Sequence, residues 1–147
     1  MKRLLFALCA ALLGCAITAQ AQATWGTDLE AALAKAKKEK KHVLLDFTGS
    51  DWCKECMKLK KEVFDTKEFA DYAAKNLVLV EVDFPRNKKQ SADLAKSNQA
   101  LKEKYKADGF PNIIILNADG KEVSRTVGNI LDGPKAWLAE FEKARKK

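Results

Sequence analysis

Histidine is almost absent from this chain: His42 stands alone among 147 residues. Cysteine is scarce too, and Cys9, Cys15, Cys53 and Cys56 make up all four. One apolar run, Leu4 to Leu13, stands at the start, and no later stretch approaches the roughly 20 apolar residues of a membrane-spanning helix. There is no internal repeat and no low-complexity linker, so a multidomain array is excluded. Cations outnumber acids, with a formal net charge of +7. The lysines are nevertheless interleaved with glutamates, as in "EAALAKAKKEKK" and "KLKKEVF". A focused basic patch with aromatics beside it is missing, so no nucleic-acid partner is expected and the charge reads as a solvated surface.

The first 23 residues, "MKRLLFALCAALLGCAITAQAQA", have a separate logic. Lys2 and Arg3 precede the apolar run, and small residues follow it. That is the layout of a secretory signal. A buried helix or a membrane span is the competing reading, and the run is short for a span. Ala19-Gln20-Ala21 offers an A-x-A cleavage site. Leu12-Leu13-Gly14-Cys15 offers a bacterial lipobox, in which Cys15 would carry a lipid anchor; simple cleavage ranks ahead of it. The expected mature domain is 24–147, with net charge +5 once Lys2 and Arg3 are gone. It suits one compact unit with a real core. Its two cysteines and one histidine are too few for a closed four-ligand zinc site, and no metal is expected.

Along that domain the pattern alternates. Thr27 to about Lys40 reads as a helix opened by a Thr27–Glu30 capping box. Residues 42–47, "HVLLDF", read as a buried strand, and Trp52 to Phe64 as the next helix. Asp65 with Glu68 marks a second capping box and another helical piece. Residues 77–84 read as a strand and Ser91 to Tyr105 as a helix. "NIIIL", the turn "ADG" and "KEVSRTV" form a hairpin, and a last helix starts near Pro134. A strand-helix-strand crossover makes the first two strands parallel; the hairpin adds antiparallel ones. The predicted class is α/β, a mixed sheet of about four strands flanked by helices.

Two thiols sit where the first strand becomes a helix, in "DFTGSDWCKECMKL". Trp52-Cys53-x-x-Cys56 at a strand-helix junction, with Gly109-Phe110-Pro111 before a later apolar strand, resembles the thioredoxin-like superfamily. "LLDFTGSDWCKECMKLKKEVF" is especially similar to its exported bacterial members. The resemblance covers nearly the whole mature chain. It departs from cytosolic thioredoxin between the cysteines, where Lys54 and Glu55 replace glycine and proline, and in the long basic stretch Pro85 to Lys106. It implies a thioredoxin fold, a redox-active Cys53–Cys56 pair and no cofactor.

The spacing has its own physics. Residues i and i+3 share a helix face, so the two sulfurs can meet. A bridge closing so short a loop adds little stability, which favours chemistry as its purpose. Cys53 at the helix start is expected to be the attacking thiolate, favoured there by free N–H groups and the dipole. Cys56 is expected to resolve the mixed disulfide. Asp46 interrupts an apolar strand. A buried carboxylate titrates high, and the resemblance makes it the proton acceptor for Cys56; the alternative is a strand-end acid facing water or a lysine. The resemblance makes Phe110–Pro111 a cis bond facing the cysteines and a place for an extended substrate; the alternative is a proline that only limits a loop. Trp52 is expected to shield the disulfide and contact substrate, with core packing as its alternative. His42 is expected to be satisfied or exposed, and Trp25 and Trp137 to anchor the core.

The expected function is an exported thiol–disulfide oxidoreductase of the periplasm or envelope, acting as a monomer on protein substrates. It is read as a reductase recharged by a membrane electron-relay partner. Disulfide oxidase or isomerase activity, or a non-catalytic binding module, are the alternatives.

Overall fold

The computed structural model describes residues 22–128 and 133–145. The leader features, including Cys9, Cys15 and the cleavage site at Ala19–Ala21, lie outside the described residues. Among the described residues no helix is long and apolar enough to cross a membrane.

The elements run β1 (Trp25–Gly26), α1 (Leu29–Glu39), β2 (His42–Thr48), α2 (Lys54–Leu59), a π-helical turn (Lys60–Phe64), α3 (Lys67–Asn76), β3 (Leu77–Asp83), α4 (Ala92–Tyr105), β4 (Asn112–Leu116), β5 (Glu122–Val127) and α5 (Gly133–Arg145). The sheet order is β1-β3-β2-β4-β5. β1 and β2 flank β3 in parallel, while β4 runs antiparallel to both β2 and β5. The sheet therefore has five strands where the sequence suggests about four. The added one, β1, has only two residues and is too short to display an alternation; it is pinned by register with Leu79 and Val80.

β2 and β4 occupy the middle of the sheet, covered on both faces, which is why both read as unbroken apolar runs. Strand alternation sorts the core into two layers. Leu44, Leu79, Ile113 and Ile115 face α2, the π turn, α3 and α5. Val43, Leu45, Phe47, Val80 and Val82 face α1 and α4. The first layer is aromatic-rich: Phe69 lies 4.8 Å from Phe64, 5.8 Å from Trp137 and 6.4 Å from Trp25, ring centre to ring centre. Phe69 has no exposed surface. Phe69→Ala should therefore destabilise the domain by roughly 3–5 kcal/mol, read from the denaturant midpoint, with little change in the m-value.

Both helix starts are shifted by one residue from the expected capping boxes. α1 is capped by Asp28, whose Oδ1 accepts the Ala31 N–H at 3.0 Å. α3 is capped by Thr66, whose Oγ1 accepts the Phe69 N–H at 3.2 Å. Asp65 instead pairs with Lys60 Nζ at 2.6 Å. In each case burial sets the phase: Leu29 and Phe69 must face the sheet, and the capping residue is whichever hydroxyl or carboxylate then falls in place. The expected single helix from Trp52 to Phe64 is also corrected. It begins at Lys54 and widens after Leu59 into the π turn, where Asp65 N–H reaches back to the Lys60 carbonyl at 2.8 Å. The wider turn leaves both Val63 and Phe64 buried.

Candidate active site

β2 delivers the chain to the site and Gly49 turns it. The Gly49 carbonyl accepts the N–H groups of Trp52 at 3.2 Å and Cys53 at 2.9 Å. A Cβ on Gly49 would come within 2.5 Å of the Trp52 ring, so only glycine lets the indole lie against the backbone here. Trp52 Nε1 donates to the Phe84 carbonyl at 2.8 Å, which ties the junction to the end of β3.

Cys53 occupies the N-cap of α2, and its Sγ accepts the Cys56 N–H at 3.2 Å. The two cysteines are joined as a disulfide with Cα atoms 5.2 Å apart. Both are nearly enclosed. Cys53, at 8% exposed against 4% for Cys56, is the more accessible residue of the two. The Trp52 ring stands edge-on to Phe110 at 5.8 Å, and Phe110 stacks on Phe84 at 5.3 Å. The Phe110–Pro111 peptide bond is cis. Pro111 is buried, and its carbonyl accepts the Gly128 N–H at 2.9 Å. Ring contacts thus join Phe110 and Phe84 to Trp52, the residue before Cys53, and Pro111 follows Phe110 in the chain.

Asp46 is buried in the middle of the sheet, 6% exposed, beside Glu81 on β3 and Ile113 on β4. It alternates with Leu44, which packs on Leu59 and the rest of that layer, so its carboxyl lies on the α2 side of the sheet. Its Oδ1 has no hydrogen-bond partner. Burial, reinforced by the neighbouring Glu81 and Asp83 and opposed by Lys60, pushes its pKa up to about 8. Glu81 is also raised, by burial and then by Asp83. Asp83 accepts from the Ser50 N–H at 2.9 Å and the Ser50 hydroxyl at 2.6 Å, three residues before Cys53.

Three carboxylates thus share the sheet face behind the cysteine helix. The sequence reading found only Asp46. The signal for the others was in "LVLVEVDF", where Glu81 and Asp83 alternate with valines as same-face positions. Asp51 was also missed. Its carboxylate accepts the backbone N–H groups of Arg86, Asn87 and Lys88 at 2.7–2.9 Å. Those three bonds hold its pKa below the usual range. Among the described residues no group of three or more histidine, cysteine or acidic side chains is placed to hold a metal ion. His42 is away from the site: it is half-buried, edge-on to Phe141 at 6.1 Å, and burial lowers its pKa. Trp137 is buried in the aromatic layer, while Trp25 is half-buried against it.

A sequence model of the thioredoxin-like domain matches residues 29–145. The chain belongs to the thioredoxin-like family. DsbH of Chlamydia pneumoniae, a disulfide bond reductase, is 37% identical over 128 residues, which cover 87% of this chain and 76% of that protein. A solved structure of a DsbH oxidoreductase superposes with a TM-score of 0.80 at 35% identity, covering 86% of each chain. DsbD of Vibrio cholerae, a thiol:disulfide interchange protein, is 33% identical over 110 residues, but this chain spans only 17% of its length. With the Cys53–Cys56 disulfide on this fold, the thioredoxin-like protein is a thiol–disulfide oxidoreductase.

Proposed function

We propose that the protein is an exported reductase of protein disulfides in the cell envelope. Cys53 is the attacking thiolate. It forms a bond to one sulfur of a substrate disulfide and expels the other as a thiolate. Cys56 then attacks Cys53, closing the internal disulfide and releasing the second substrate thiol. Two electrons pass to the substrate, and the pair is left oxidised until a dithiol donor reduces it. Trp52 and Phe110 contact the substrate, and Pro111 shapes the cleft beside the cysteines. Asp46, as carboxylate, accepts the Cys56 proton.

The reductase direction rests on one observation, the acidic Glu81 and Asp83 behind α2, which together with burial hold Asp46 protonated to about pH 8. A strong oxidant needs a thiolate so stabilised that the reduced form is favoured. Acidic groups on the sheet face oppose that. The Arg86 guanidinium lies 3.8 Å over the Trp52 ring, on an exposed and solvent-screened side. Export rests on the leader pattern at residues 1–23. The envelope is kept oxidising, so such a reductase needs a membrane protein that relays electrons from cytosolic thiols. The protein acts as a monomer, and cleavage after Ala21 is preferred to lipidation at Cys15.

Two measurements test this reading. Reduced protein, freed of excess dithiothreitol, should reduce a disulfide-bonded protein stoichiometrically, and the pair should be largely reduced when trapped by alkylation in growing cells. A pair found fully oxidised in cells would make the protein a disulfide donor.

A further inference from the structure

The segment between β3 and α4 carries charge in a pattern that the exchange chemistry does not use. Residues 84–91, "FPRNKKQS", contain three cations and no acid. A segment of this composition, lacking regular structure, would ordinarily be loose. Here it is fastened twice. Asp51 takes three successive backbone N–H groups, those of Arg86, Asn87 and Lys88. Gln90 Nε2 donates to the Asp83 carbonyl at 3.2 Å. Asp51 lies two residues before Cys53, so the clamp holds the loop against the cysteine turn.

The clamp also occupies the nearest carboxylate, which keeps its negative charge. The Asp51 carboxylate is bonded to backbone groups, which leaves the loop's side chains free to face solvent. Arg86, Lys88 and Lys89 are all exposed. Arg86 stacks on Trp52, the residue before Cys53, and Lys88 Nζ reaches Ser50 Oγ at 3.3 Å. Between the cysteines Lys54 and Glu55 cancel. The loop tied to the cysteine turn therefore carries three exposed cations against one acid, Asp51, and is net positive.

We propose that this clamped loop is a substrate-selecting rim, and that the reductase prefers disulfides flanked by acidic residues. The inference rests on the exchange chemistry proposed above and adds the substrate class. The physical basis is charge complementarity. Exposed pairs each contribute little once formed, but a cluster of one sign raises the encounter rate of an oppositely charged partner. The effect must also fade with salt, because screening shortens the range of exposed charges.

The test uses two synthetic peptides with the same disulfide and the same length. In one the residues flanking each cysteine are Asp and Glu; in the other they are Lys. The reduced full domain should reduce the acidic peptide about tenfold faster at low ionic strength, and the gap should close several-fold near 0.5 M salt. The R86E/K88E/K89E variant should reverse the preference. Its fold is checked by its denaturant midpoint, and if it fails to fold, K89E alone, at an exposed position, should still narrow the preference. Equal rates for the two peptides in the parent protein, or faster reduction of the basic one, would overturn the inference. So would tight binding to a single-stranded oligonucleotide or to anionic vesicles with no preference between peptides. Failure to reduce either peptide would instead overturn the exchange reading beneath it.

Discussion

Cys56→Ser should accumulate mixed disulfides with its protein partners, and Cys53→Ser should accumulate none. The expectation follows from where the two sulfurs sit. Cys53 caps α2, receives the Cys56 N–H and is the more accessible of the pair. Cys56 is a helical turn further in and almost wholly enclosed. Removing the inner sulfur leaves capture intact but blocks release, so adducts persist. Removing the outer one abolishes capture, and exchange should drop to the uncatalysed level. Non-reducing gels of the two variants after alkylation read both outcomes. Trapping by Cys53→Ser alone would reverse the roles.

Asp46→Asn should both stabilise the domain and slow its resolving step. The carboxyl has a folded pKa of about 8 against an ordinary value of 3.8. The folded state therefore binds a proton that the unfolded chain releases between those values. Stability in the parent falls as pH rises from about 4 to about 8, and stays lowered above that. Asparagine removes the titration. Its advantage should be near zero at pH 4, grow through neutrality and reach on the order of a few kcal/mol at pH 8. Kinetics should move the other way. Release of the mixed disulfide in the parent should quicken with pH up to about 8, as the base ionises. In the variant it should be roughly 10- to 100-fold slower at pH 8 and lack that rise. Superimposable stability curves from pH 4 to 8, with equal release rates from pH 6 to 8, would reduce Asp46 to a packing residue.

Most of the architecture was legible because it follows from local patterns. β2 and β4 announce themselves as apolar runs, and the cysteine pair marks the strand-helix junction. Asp46 was legible because an acid inside "VLLDF" is an anomaly. What escaped the sequence depends on three-dimensional neighbours. β1 is two residues long and exists only because β3 offers it an edge. The caps Asp28 and Thr66 were missed by one position, since core burial and not the capping motif sets helix phase. Glu81 and Asp83 join Asp46 only once β2 and β3 are in parallel register. The Asp51 clamp links residues 35 to 37 apart and has no local signature at all.

The reduction potential of the Cys53–Cys56 pair tests the central claim most directly. The purified domain would be equilibrated against a graded glutathione or dithiothreitol series, with Trp52 fluorescence or alkylation and mass measurement as the readout. Acidic groups behind α2 should keep the thiolate from extreme stabilisation. The predicted value lies toward the thioredoxin end, at about −200 to −270 mV. A value near the roughly −120 mV of a strong periplasmic oxidant would contradict the reductase account.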